Sequence, residues 1–129
     1  MTDISSAESP YKGKTGLRRL INAFGYSLAG LRAAWSHEDA FRQLVLLALV
    51  LVPLACLIPL TPVVRALLIA SSLVTLVIEL LNSAIEAAVD HTSLARHPLA
   101  KRAKDMGSAA QLLGLLNLAV MWSVLVIWA

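Results

Sequence analysis

Hydrophobic residues follow three regimes along the chain: sparse at the start, striped in the middle of the first third, and nearly continuous in three later runs. In the striped segment, Leu17, Leu20, Ile21, Phe24, Leu28, Leu31 and Trp35 lie within roughly 50° of a common direction on a helix, with Arg18, Arg19, Asn22 and Tyr26 on other faces. The pattern predicts a helix over about 17–37 lying in a membrane interface, apolar side in lipid and arginines at the headgroups. By pattern alone a soluble amphipathic helix docked on protein remains open. The runs that follow predict spans at about 42–60, 63–90 and 107–128. The apolar part of the first is short for a bilayer, near the low end of about 17–25 residues. Pro53 is expected to kink it, and Pro59-Leu-Thr-Pro62 to form a tight turn. Trp122 and Trp128 in the third suit an interfacial belt.

These elements define an all-α integral membrane protein: three transmembrane helices plus an N-terminal amphipathic surface helix, in one domain over 17–129 behind a flexible cytoplasmic tail at 1–16. Composition agrees. The 129 residues are 58% hydrophobic and 15% charged, against about 25% charged in a soluble domain. The polar start predicts no cleavable signal peptide and a mature N-terminus. Basic and aromatic residues are not interleaved on any strand-like surface, so no nucleic-acid partner is expected. Cys56, the one cysteine, sits in an apolar run and reads as a small hydrophobe. Gly13-Lys14-Thr15 lacks the earlier glycine of a phosphate loop, Glu8 standing in its place, and no strand precedes it.

Charge orients the chain. Lys12, Lys14, Arg18, Arg19, Arg32 and Arg42 precede or open the first span; Arg96, Lys101, Arg102 and Lys104 separate the second from the third; Arg65 alone lies on the other side. The positive-inside rule then puts the N-terminus and the 91–106 segment in the cytoplasm and the C-terminus in the periplasm.

Candidate chemistry lies at the end of the second run. Residues 66–78 carry no charge, and then Glu79, Asn82, Glu86 and Asp90 follow. On a helix these four fall within about 80° of one another. With the second span entering at the outer face, Glu79 lies about 24 Å along it, near the inner edge of a hydrocarbon core of about 30 Å. Glu86 and Asp90 lie at or beyond the headgroups. Acids in such a place are costly and point to function. A desolvated Glu79 suits a base toward a lipid hydroxyl. Glu86, in a wetter place, suits Mg²⁺, which takes one or two carboxylates plus substrate phosphates. Asn82 can orient a neighbouring carboxylate or a substrate. Lys101, Arg102 and Lys104 lie on the same side to neutralise phosphates. The residues alone equally admit a polar seam that holds helices together or lines a path in a small transporter, channel subunit or assembly factor. His37, His91 and His97 lack metal-ligand spacing.

Glu79-Leu-Leu-Asn82-Ser-Ala-Ile-Glu86 and Arg102-Ala-Lys104-Asp105-Met-Gly-Ser108-Ala, with Gly25-Tyr26-Ser27-x-x-Gly30-Leu-Arg32-Ala33-Ala34-Trp35 and Glu38-x-Ala-Phe-Arg42-Gln, resemble the prokaryotic diacylglycerol kinase family in order and spacing over about 16–129. The resemblance implies a homotrimer in the bacterial inner membrane, with active sites shared between subunits. It implies ATP-dependent phosphorylation of diacylglycerol to phosphatidic acid by direct γ-phosphoryl transfer with Mg²⁺. Undecaprenol is an alternative substrate within the same family. Glu79 matches the base, supported by Asn82, and Glu38 and Glu86 match the metal ligands. Arg19, Tyr26, Glu38, Glu86, Lys104 and Asp105 match nucleotide-binding positions, with Ala95, Arg96 and His97 beside them. Lipid-contacting positions correspond to Arg19, Ala23, Phe24, Gly25, Tyr26, Ser27, Leu28, Arg32, Ala33, Ala34, Trp35, Arg65, Glu79, Ser108 and Trp122. The chain departs from enterobacterial members at Phe24, Leu44 and Ala95, where they carry a small residue, Glu and Glu.

Overall fold

The computed structural model describes residues 16–128. The tail up to residue 15, including Lys12, Lys14 and the Gly13-Lys14-Thr15 tripeptide, lies outside the described residues, as does Ala129. Every regular element among the described residues is helical: α1 (Leu17–His37), α2 (Asp39–Leu57), α3 (Pro62–Thr92) and α4 (Pro98–Trp122), the last continued by a π-helical turn over Ser123–Ile127. Three stretches are long and apolar enough to cross a membrane: Asp39–Leu57, Pro62–Thr92 and Pro98–Ile127. The chain divides into two units, one through Ala33 and one from Ala34.

The first unit holds most of α1. Gly16 precedes it with φ +72, a left-handed conformation that glycine adopts without a Cβ penalty. Leu17, Leu20, Ile21, Phe24 and Leu28, the stripe seen in the sequence, are exposed. Ser27 Oγ donates to the Ala23 carbonyl at 3.0 Å, one turn back.

The second unit begins with the last turn of α1. Glu38 is the single extended residue between α1 and α2 (φ −117, ψ 106) and stands at the N-cap of α2, but its side chain makes no capping bond. Arg42 serves this joint instead. Its guanidinium donates to the Trp35 carbonyl at 2.6 Å and the Ser36 carbonyl at 3.3 Å, and pairs with Asp39. The carbonyls at the C-terminus of α1 have no helical donor of their own, so a cation there is favourable.

α2 continues four residues past Pro53 and ends at Leu57, short of the predicted 60. The reason is Pro59, which has no N–H to offer the Ala55 carbonyl four residues before it. Arg65 Nε donates to that carbonyl at 3.0 Å, and its Nη2 to the Ile58 carbonyl at 3.3 Å. α3 then opens on a side-chain cap, Thr61 Oγ1 accepting from Val64 N at 3.4 Å, with Pro62 in the first turn; proline there forgoes only an N–H that has no helical partner.

The segment over 91–106, left between the second and third predicted spans, is irregular only over 93–97. α3 runs to Thr92, and α4 starts at Pro98 with His97 Nδ1 accepting from Leu99 N at 3.1 Å. Charge marks water, not loss of helix: Lys101 Nζ and Asp105 Oδ2, one turn apart, pair at 2.6 Å within the first turns of α4.

The core is thin. Ala34, Phe41, Ala55, Leu68 and Leu118 are its buried apolar side chains, beside Ser71, Ser72, Thr75, Glu79 and Gln111. The hydroxyls are satisfied within α3 itself. Ser71 and Ser72 donate to the Leu68 carbonyl at 2.8 and 3.2 Å, and Thr75 to the Ser72 carbonyl at 2.7 Å. Small side chains bonded back to their own helix let a neighbouring backbone approach, which is how helices pack where lipid removes the hydrophobic drive.

Candidate active site

α3 and α4 form the seam on which the candidate residues stand. On α3 the buried residues include Leu68, Ser72, Thr75 and Glu79, at steps of four, three and four; on α4 they are Gly107, Gln111, Gly114 and Leu118, also at four, three and four. That alternation keeps one face of a helix against one partner. The register is antiparallel. Asp90 meets Lys104, Asn82 meets Gly107, Glu79 meets Gln111, and Ile78 meets Gly114.

Glu79 is the most enclosed acid of the stripe, at 6% exposure. Gln111 Nε2 donates to its Oε2 at 2.9 Å and, with its second proton, to the Thr75 carbonyl at 2.9 Å. One turn further along α3, the Asn82 side chain fills the space that a Cβ on residue 107 would occupy. A side chain at 107 would displace the Asn82 amide. Asn82 Oδ1 is buried and has no hydrogen-bond partner among the described residues. A further turn on, Glu86 is half-buried; Asp90 is exposed and takes Lys104 Nζ at 2.6 Å. Polarity thus rises along one face of α3, from an enclosed carboxylate to a solvated ion pair.

Beyond that pair lies an open cavity of about 700 Å³, lined in part by Asp90, Ala95, Arg96, His97, Lys104 and Asp105. The fold therefore gathers five sequence-predicted nucleotide residues around one space. Asp90, on its wall, is about 16 Å along α3 from Glu79, the rise of eleven residues. Of these five, His97 has Nδ1 committed to the start of α4 and Asp105 is paired with Lys101.

Arg19, Ala23, Phe24, Gly25, Tyr26, Ser27, Leu28, Arg32 and Ala33 belong to the first unit. In the second, Ala34 is buried and Trp35 exposed. Arg65 caps the far end of α2 and lies about 21 Å from Glu79 along α3. Ser108 is exposed beside Gly107, and Trp122 is half-buried at the end of α4.

No group of three or more His, Cys, Asp or Glu that could hold a metal occurs among the described residues. The donor chemistry nevertheless fits a hard cation that arrives with phosphates. Glu38 and Glu86 are half-buried and enter no ion pair among the described residues, and Asn82 Oδ1 is an orphaned oxygen one turn from Glu86. Mg²⁺ prefers such a set, one or two carboxylates completed by substrate oxygens and water.

Sequence reasoning missed Gln111 and Gly107. Gly107 stands in the Arg102–Ala109 block without a role of its own, and Gln111 in the third apolar run. Their signal was available as the four-three-four spacing from Gly107 through Gln111 and Gly114 to Leu118.

Comparison with known proteins gives this geometry its context. Residues 25–126 match the family described as prokaryotic diacylglycerol kinase. The diacylglycerol kinase of Pseudomonas aeruginosa is 58% identical over 119 residues, covering 92% of this chain and 97% of that protein. Those of Helicobacter pylori and Escherichia coli are 48% and 46% identical, covering 92% and 89% of this chain and 92% and 93% of theirs. The chain is an enzyme of the prokaryotic diacylglycerol kinase family.

Proposed function

We propose that this protein transfers the γ-phosphate of ATP to the primary hydroxyl of diacylglycerol, giving phosphatidic acid and ADP, at the cytoplasmic face of the bacterial inner membrane. The observation that carries the reading is the graded face of α3. Glu79 is an enclosed carboxylate, and successive turns of α3 lead from it through Asn82 and Glu86 to Asp90, paired with Lys104 beside a cavity. A lipid alcohol reaches one end and a water-soluble nucleotide the other.

In this reading the hydroxyl oxygen of the lipid bonds to the γ-phosphorus. The bond from that phosphorus to the oxygen bridging to the β-phosphate breaks, ADP leaves, and the hydroxyl proton passes to Glu79. Little covalent chemistry is asked of the protein, whose task is positioning and charge neutralisation. The cavity beside Arg96, His97 and Lys104 receives the nucleotide, and Lys104 exchanges its contact with Asp90 for a phosphate oxygen. Glu38, Glu86 and the Asn82 oxygen would hold Mg²⁺, which when bound supplies positive charge to the phosphates. The protein works as a homotrimer whose neighbouring subunits complete each site, N-termini in the cytoplasm and C-termini in the periplasm.

The test is purified protein in mixed micelles with γ-labelled ATP and Mg²⁺, given diacylglycerol or undecaprenol in parallel. Labelled phosphatidic acid is expected. Label in undecaprenyl phosphate alone would move the substrate assignment, and no labelled lipid at all would overturn the kinase reading.

A further inference from the structure

Gln111 is an uncharged polar residue inside the apolar part of α4, 8% exposed, where leucine would pack without cost. A primary amide buried away from water is unfavourable unless it is hydrogen-bonded. Its orientation is determined by its partners. One is a backbone carbonyl, which can only accept, so the nitrogen must face Thr75 O; the second proton of that nitrogen then meets Glu79 Oε2. Both donors are used. The amide oxygen is left buried without a partner among the described residues, so the side chain gives up an acceptor's hydrogen bond in order to present its donors. A residue that served only to bridge α3 and α4 would not need to reach the carboxylate.

We infer that Gln111 is a positioning residue for Glu79. Its amide fixes Oε2 against the wall of α4, which leaves Oε1 as the oxygen free to receive the substrate proton and locks the carboxylate in one rotamer. The anchor of the clamp is the Thr75 carbonyl, one turn before Glu79 on the same helix, so the clamp moves with the carboxylate if α3 and α4 shift together. Gly107 and Gly114, four residues before and three after Gln111, allow the two backbones to close around the amide.

The inference rests on Glu79 being the base, and the experiment separates the two. Gln111→Met keeps length and volume but removes the donors. In mixed micelles it is expected to lower kcat by about tenfold, in the range found for residues that orient a catalytic group, with the KM for ATP and for diacylglycerol within a factor of two of the parent. The unfolding temperature in detergent is expected to fall, because the substitution strands the buried Glu79 carboxylate, so kcat and KM are read well below both unfolding transitions. Placed on Glu79→Gln, the same substitution is expected to cause no further loss, because there is no longer a base to position. A parental kcat in Gln111→Met, or an equal further loss on the Glu79→Gln background, overturns the role of Gln111 alone. Undiminished turnover in Glu79→Gln overturns the base and this inference with it. Gln111→Asn, which keeps an amide but shortens the reach, carries the same kcat-against-KM comparison if the methionine variant is unstable; a kcat equal to the parent's there also overturns the role.

Discussion

Glu79 and Glu86 stand two turns apart on one helix in different surroundings, the first enclosed and held by an amide, the second half-buried and outside any ion pair among the described residues. Their substitutions should therefore fail differently. Glu79→Gln keeps the shape and can still pair with Gln111 after an amide turn, so nucleotide binding should survive while kcat falls by about 100-fold or more, the usual worth of a positioned base. Steady-state turnover beside an ATP-binding isotherm checks this. Glu86→Gln should instead raise the Mg²⁺ concentration needed for half-maximal rate by about tenfold, with much of the rate recovered at saturating Mg²⁺, because a neutral amide is a weaker ligand for a hard cation. A Mg²⁺ titration at fixed ATP decides it. Lys104 and Asp90 make a solvent-accessible pair, of a kind that contributes little to stability and is weak enough for the lysine to leave it for a phosphate. Beyond that contact, Asp90 forms part of the cavity wall.

At the scale of elements, the α3–α4 seam depends on what α4 lacks. Gly107→Ala places a methyl where Asn82 lies; overpacking of this kind costs about 1–3 kcal/mol. Because the atom displaced is the Asn82 side chain, activity is expected to fall further than the unfolding temperature, which parallel turnover and melting measurements resolve. The α2–α3 turn has its own fastening. Arg65→Met strands the Ala55 carbonyl that Pro59 cannot serve and is expected to destabilise by about 2 kcal/mol, the loss of a charge-assisted hydrogen bond, with turnover at low temperature retained because the turn is remote from Glu79. Detergent unfolding curves check the first half and a rate assay the second. The same elements show what the pattern of apolar residues conveys. It located each hydrophobic run, since burial in lipid is a property of composition. It missed the start of α4 at Pro98, since the charged first turns are held by a histidine cap and a Lys101–Asp105 pair that hydropathy does not register.

For the whole molecule, three helices long and apolar enough to span are joined by short connections over 58–61 and 93–97. α3, at thirty-one residues, is about 46 Å long against a hydrocarbon core of about 30 Å; its excess carries Glu86 and Asp90 clear of lipid if it enters at Pro62. That arrangement depends on orientation, which cysteine labelling tests. In a Cys56→Ser background, Leu94→Cys, at a position 87% exposed between α3 and α4, should resist a membrane-impermeant maleimide added to intact cells and react once they are opened. Labelling of intact cells would invert the topology. The sequence by itself determined the class of the protein, the three apolar runs and the acidic stripe, because hydropathy and helical periodicity are local and survive without knowledge of partners. It also carried the family blocks around Glu79 and Lys104. Only the tertiary structure decided which neighbour each acid meets: Gln111 lies thirty-two residues from Glu79, and Gly107 is needed only because Asn82 arrives beside it. Those choices depend on the antiparallel register of α3 against α4, which no single segment encodes. The stripe that began as four polar residues on one face is thereby resolved into an amide-held carboxylate, an oxygen without a partner, a half-buried carboxylate outside any ion pair, and an ion pair at the mouth of a cavity.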